Sequence, residues 1–132
     1  MSDVISRVRS VIGVAPDEPE LGTGLDLADA LDVLANERRR LAIRFVADHD
    51  GGEFELDDIV DYVATGQYGA GFDRPERKRV YIASYQTHID ILVDADVIRP
   101  VPNEANTFRQ GETATALDTV LETAEDVLEV SN

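Results

Sequence analysis

The sequence predicts an α+β fold that is mostly helical. Apolar residues recur at helical spacing in most stretches between turn signals. The segment from Val97 to Gln110 breaks that rhythm, with Pro100, Pro102, Asn103 and Asn106 set between short apolar runs. That is the composition of strand, turn and strand. With 43% hydrophobic residues among 132, the chain has enough apolar side chain for one folded domain.

Residues 1–24 read as a short amphipathic helix followed by a linker. Val4, Ile5, Val8, Val11 and Ile12 stand at helical spacing, and "APDEPELGTG" from Ala15 to Gly24 is an acidic Pro/Gly linker. The main domain is expected over residues 25–132. Leu27, Ala30, Leu31 and Leu34 give the stripe of its first helix, and Asn36 is a good N-cap for a second, with Leu41, Ile43, Phe45 and Val46 inward. A Gly51-Gly52 turn leads to a short extended piece at Glu53–Leu56. A third helix places Leu56, Ile59, Val60 and Val63 inward and is expected to stop at Gly66. Gln67–Glu76, with two Gly and one Pro, reads as a ten-residue loop.

The next helix spans about 77–95. At roughly 100° per residue, Ile82, Tyr85, Ile89, Leu92 and Val93 share the arc expected to be buried. Val80, Ser84, Thr87 and Ile91 fall opposite it, with Gln86 and His88 on the flanks. A hairpin follows, with arms at Val97–Val101 and Thr107–Gln110, a turn at Asn103–Asn106, and prolines that confine the first arm to a sheet edge. The closing helix carries Leu117, Val120, Leu121, Ala124, Val127 and Leu128 on one stripe, and it and the Val4–Ile12 helix, each a stripe outside the helix-turn-helix core, are the expected dimer surfaces. This order of elements is that of a winged helix-turn-helix with a two-stranded β wing and flanking N- and C-terminal helices.

Charge is the strongest compositional signal. There are 27 Asp plus Glu against 12 Lys plus Arg, a formal charge of −15, and Lys78 is the one lysine. An acidic, Lys-poor, Arg-retaining chain is what very high salt favours: at about 1 M the Debye length is ~3 Å and self-repulsion is screened. A halophilic, haloarchaeal source is expected. The competing explanation is an ordinary acidic protein with a cationic partner. The excess acid is not spread evenly. Residues 72–109 hold six acids and six bases, so all of the net negative charge lies elsewhere. The chain has no cysteine, so disulfides, thiolate metal sites and cysteine redox switches are excluded. No stretch approaches the ~20 apolar residues of a membrane span, and the N-terminus, with Asp3 and no long apolar run, does not read as a signal peptide. A cytoplasmic location is expected.

Two stretches carry a family resemblance. "DALDVLANERRRLAIRFVA" resembles the start of arsenic-repressor-like (ArsR-type) regulators, whose pattern is "ALAxPxRRxIL". "SYQTHIDILVDADVI" resembles their recognition helix, roughly "STVSxHLxxLxxAGLV", with His88-Ile89 at the His-Leu pair and Ala95-Asp96-Val97-Ile98 at Ala-Gly-Leu-Val. The chain is similar, more closely, to uncharacterised haloarchaeal winged-helix domains that share "NERRR" (Asn36–Arg40 here) and a "RKRVYxxxxQTHL"-like helix (Arg77–Ile89 here). The resemblance covers about residues 27–121. It implies a sequence-specific DNA-binding transcription regulator that acts as a homodimer on double-stranded DNA, with a possible protein partner in the transcription machinery. The chain departs from the pattern in three places. Asp96 replaces the Gly after the recognition helix, the loop before that helix is longer than the standard turn, and the metal-ligating Cys are missing, which rules out metal sensing by that route.

In a helix-turn-helix the second helix enters the major groove. Gln86 can pair bidentately with adenine, and Ser84 and Thr87 can donate or accept, with His88 beside them. Arg77, Lys78 and Arg79, with Arg99 and Arg109 in the wing, would hold phosphates. Glu37–Arg40 is a further candidate for phosphate contact. The bland alternatives are a solvated helix face for Ser84, Gln86 and Thr87, a packing role for His88, and local ion pairs for Glu37–Arg40. "ADHDGGEFE" superficially resembles a calcium loop, but Gly52, Glu53 and Ile59 stand where ligands or the turn glycine belong, so no metal site is expected. No cofactor is expected. The sequence has no phosphate-cradling Gly loop and no His pair at metal spacing, and its carboxylates are too numerous to single out a catalytic pair, so an enzyme is not expected. The main rival to DNA binding is a winged-helix module that binds protein, for which exposed Val80 and Ile91 would speak.

Overall fold

The fold rests on a network of helix caps and on one aromatic seam. In the computed structural model, which describes residues 25–49 and 51–129, the order is α1 (Leu27–Val33), α2 (Glu37–Asp48), β1 (Glu53–Glu55), α3 (Leu56–Tyr68), α4 (Arg74–Ala83), a π-helical turn (Ser84–His88), α5 (Ile89–Asp94), β2 (Ile98–Pro100), β3 (Thr107–Gln110) and α6 (Ala114–Glu129). The fold is α+β and mostly helical, as the periodicity predicts. The expected helix at Val4–Ile12 and the linker at Ala15–Gly24 lie outside the described residues.

α1, α2 and α4 start where the sequence supplies a side-chain cap. Asp26 accepts from the Asp29 amide at 2.8 Å, and Asn36 from the amides of Arg38 and Arg39 at 2.9 and 3.2 Å. Asp73 and Glu76 cap each other's amides at 2.9 Å, with Pro75 in the first turn. The "NERRR" run then does a second job. Arg39 donates to the carbonyls of Val33 and Asp32, at 2.9 and 3.0 Å, and Arg40 to that of Leu34 at 2.8 Å. These guanidiniums satisfy the orphan carbonyls at the end of α1.

α2 is central. It packs on α3 and on α6, and α3 packs on α4. Ala42, Ile43 and Val46 of α2 meet Ile59, Val60 and Val63 of α3 and Leu117, Val120 and Leu121 of α6 in one core. The small antiparallel sheet has the order β1-β3-β2, with Phe54 opposite Phe108 and Arg99 opposite Arg109. Phe45 of α2 meets Phe54 edge-on at 5.5 Å, and Phe54 lies 6.5 Å from Phe108, so aromatic rings join the sheet to the helices. β2, with Pro100, is an edge strand as its proline requires.

Four expectations need correction. Gly66 does not end α3. The helix runs on to Tyr68, and Gly69, at φ 88°, ends it. Gly66 serves close packing instead, since a Cβ there would lie 2.7 Å from a Leu41 methyl. Because α3 runs longer and α4 starts earlier, the ten-residue loop shrinks to residues 69–73. On α1, Val33 replaces Leu31 in the core, and Leu31 is 52% exposed. The closing helix is not a separate stripe outside the core, because Ala114, Leu117, Val120 and Leu121 are buried in it.

Candidate functional site

The helix over residues 74–94 was expected to carry the site, and its geometry changes which side chains face out. The amide of Ile89 donates to the Ser84 carbonyl, an i→i+5 bond that adds one residue to a turn. Counted back from Leu92 at about 100° per residue, a regular helix would put Tyr85 about 20° from Leu92 and Val80 about 120° away. The extra residue rotates everything before it by about 100°. Val80 then swings to within about 20° of Leu92, and Tyr85 moves out to about 120°. Burial follows that geometry. Val80, Ser84, His88 and Leu92 are buried at 0, 3, 8 and 0% exposure, while Ile82 and Tyr85 are 42 and 59% exposed.

The expected buried arc is therefore corrected: Ile82 and Tyr85 face solvent, and Val80 lies in the core with Ile91 half-buried. Ser84 and His88, expected to read bases, face inward. His88 Nδ1 lies 3.4 Å from Nη1 of Arg39. Burial, then the charges of Arg39 and Arg38, lowers the His88 pKa. Because a guanidinium only donates, Nδ1 must accept and the ring is neutral, with its proton on Nε2.

The basic residues divide into two groups. Arg77 donates to Asp61 at 2.7 Å and to Asp57 at 3.0 Å. Arg99 grips both oxygens of Asp96 at 2.8 and 2.9 Å, and this hydrogen-bonded pairing lowers the Asp96 pKa. Arg109 reaches Glu53 at 3.3 Å. These three expected phosphate contacts are already neutralised. Lys78 and Arg79 are exposed and make no ion pair among the described residues, and the same is true of Arg74, which the motif reading passed over. Gln86 and Thr87 are exposed on the π turn. Tyr81 stacks on Tyr85 with centroids 6.1 Å apart. Beside them, Arg74, Arg77, Lys78, Tyr81 and Ile82 line an open groove of about 630 Å³.

Asp96 fixes the end of this helix to the hairpin. It takes φ 60°, the left-handed turn its position requires. Its carbonyl accepts from the Thr113 amide at 3.1 Å, and Thr113 Oγ1 donates to the Ala95 carbonyl at 2.8 Å. Gly111 is required beside it, since a Cβ there would sit 2.1 Å from the Asp96 carbonyl oxygen.

No helix among the described residues is long and apolar enough to cross a membrane. Neither the curated proteins nor the solved structures contain a match to this chain. Residues 31–105, which run from α1 through the helix over 74–94 to the hairpin turn, match the DUF7344 family, a domain of unknown function. That match covers more than half of the chain, and the protein belongs to the DUF7344 family.

Proposed function

We propose that the protein is a sequence-specific DNA-binding transcription regulator built on a winged helix-turn-helix, working in the molar salt to which its acidic composition is suited. α3 and the helix over 74–94 are the helix-turn-helix, and the β2–β3 hairpin is the wing. One observation carries this reading. Every described arginine outside α4 is engaged with a carboxylate, a carbonyl or a neutral side chain, while the exposed cations without such partners, Arg74, Lys78 and Arg79, share α4. They adjoin Gln86 and Thr87, which extend the same exposed surface toward bases. Burial of Val80 removes the apolar residue that sat badly against phosphate. One helix reads one half-site, so two copies act together. Genome-wide occupancy mapping of the tagged protein, with gel-shift titration of the enriched fragments in molar KCl, tests the proposal. Saturable binding to a recurring sequence is expected, and a folded protein with no saturable binding at any salt overturns it.

A second reading has its own observation. Ile82, Tyr85 and the stacked Tyr81 form an exposed aliphatic–aromatic surface, which suits a winged-helix module that binds protein. Substituting Arg79, Gln86 and Thr87 by Ala separates the two. Unchanged DNA occupancy with loss of a co-purifying partner favours the module.

A further inference from the structure

A second groove lies between α1 and the end of α5. Leu25, Val33, Ile91 and Ala95 form its floor, and Asp29, Asp32 and Asp94 stand on its rim, around a space of about 310 Å³. The three rim carboxylates are exposed and make no ion pair among the described residues. An apolar floor ringed by unpaired like charges is complementary to an apolar stripe flanked by cations.

The chain contains one such segment. At the helical period of about 100° per residue, Val4, Ile5, Val8, Val11 and Ile12 share an arc, and Arg7 and Arg9 fall about 100° to either side of its centre. Ser6 and Ser10 fall opposite. Arg7 and Arg9 are the only basic residues before Arg38. The tether also fits. Twelve residues separate Ile12 from Leu25, enough to span up to roughly 40 Å, and Leu25 itself lines the groove. A tether this short gives an effective concentration of about millimolar, which favours the same chain over a second copy.

We propose that residues 4–12 dock in this groove of their own chain, with the apolar stripe on Val33, Ile91 and Ala95 and with Arg7 and Arg9 against Asp29, Asp32 and Asp94. The segment would then brace the C-terminal end of the recognition-helix segment against α1. This inference is independent of what the outer face of α4 binds.

The chain has no cysteine, so two introduced thiols are the only ones present. The full-length V8C/I91C variant, mildly oxidised in molar KCl, is expected to form an intramolecular disulfide, seen as a faster monomer band on a non-reducing gel. S10C/I91C, which moves the thiol to the opposite face, is expected to give little of it. Adding R7E and R9E to V8C/I91C, at low salt, is expected to lose most of the cross-link. A cross-linked dimer as the main product assigns the groove to a second copy and overturns the proposal. So does absence of any cross-link in a protein whose circular dichroism matches wild type, or equal cross-linking through Ser10.

Discussion

The Arg39 guanidinium stands 3.4 Å from Nδ1 of His88, and both side chains are buried. The two residues come from the two motifs that carried the family resemblance, "NERRR" and "QTH". Their contact joins α2 to the π turn of the helix that carries the candidate site. The two motif residues are thus part of the scaffold that holds that helix in place.

This pair gives the fold an acid sensitivity. The folded-state pKa of His88 lies below its ordinary 6.5 through burial and the nearby arginines, so the unfolded chain binds the proton more readily. Stability from the neutral ring is complete above pH 6.5 and is lost as pH falls through the folded value. Urea midpoints measured between about pH 8 and pH 5 should fall less in His88→Gln than in wild type. An equal fall in both would remove His88 as the cause.

The π turn sets which face is buried, and paired substitutions check it. Val80→Ala should cost about 2 kcal/mol through lost burial and a cavity, whereas Ile82→Ala should stay within about 0.5 kcal/mol. A regular helix with the face first expected from periodicity would reverse that order. Chemical denaturation of the two variants decides it.

Two glycines that look alike in sequence should behave differently. In Gly66→Ala the new methyl meets only the movable end of Leu41, and helix propensity returns about 1 kcal/mol, so the net change should be small. In Gly111→Ala the clash is with the Asp96 backbone, and the loss should be on the order of 3 kcal/mol or more. Thermal melts of both variants, read beside wild type, measure the contrast.

Asp118 is a candidate for stabilisation. Its Oδ1 is buried without a hydrogen bond, 3.8 Å from Arg44 Nε. Burial, then Glu122 and Asp48, raises its pKa. A raised folded pKa favours the fold at low pH and works against it as pH rises through that value. Asp118→Asn should therefore raise the melting temperature at neutral pH, and raise it more at low salt than in molar KCl, where repulsion is screened. A lower melting temperature in dilute buffer would contradict this.

The sequence revealed the elements whose signals are local. The hairpin arms follow from Pro100, Pro102 and the asparagines of the turn, and the start of α2 follows from Asn36, whereas Asp73, expected inside a loop, caps α4. The buried face of the helix over 74–94 was not legible. Its inward residues include Ser84 and His88, while Ile82 and Tyr85 look apolar enough to claim the core, and nothing in their spacing reveals an i→i+5 turn. The end of α3 was missed for a related reason: a glycine can stop a helix or admit a neighbour, and Leu41 decides which. Ion pairing escaped the sequence too, because Arg77 meets Asp57 and Asp61 only once α3 and α4 have packed.

The central claim is that the exposed cations of α4 meet DNA while the paired arginines do not. Fluorescence anisotropy against an enriched fragment, over a range of KCl, tests it with Lys78→Ala, Arg79→Ala and Arg99→Ala. Each of the first two should weaken binding and lower the log–log salt slope by about 1, whereas Arg99→Ala should leave the slope close to wild type. Slopes unchanged in Lys78→Ala and Arg79→Ala, with folding intact, would contradict the account.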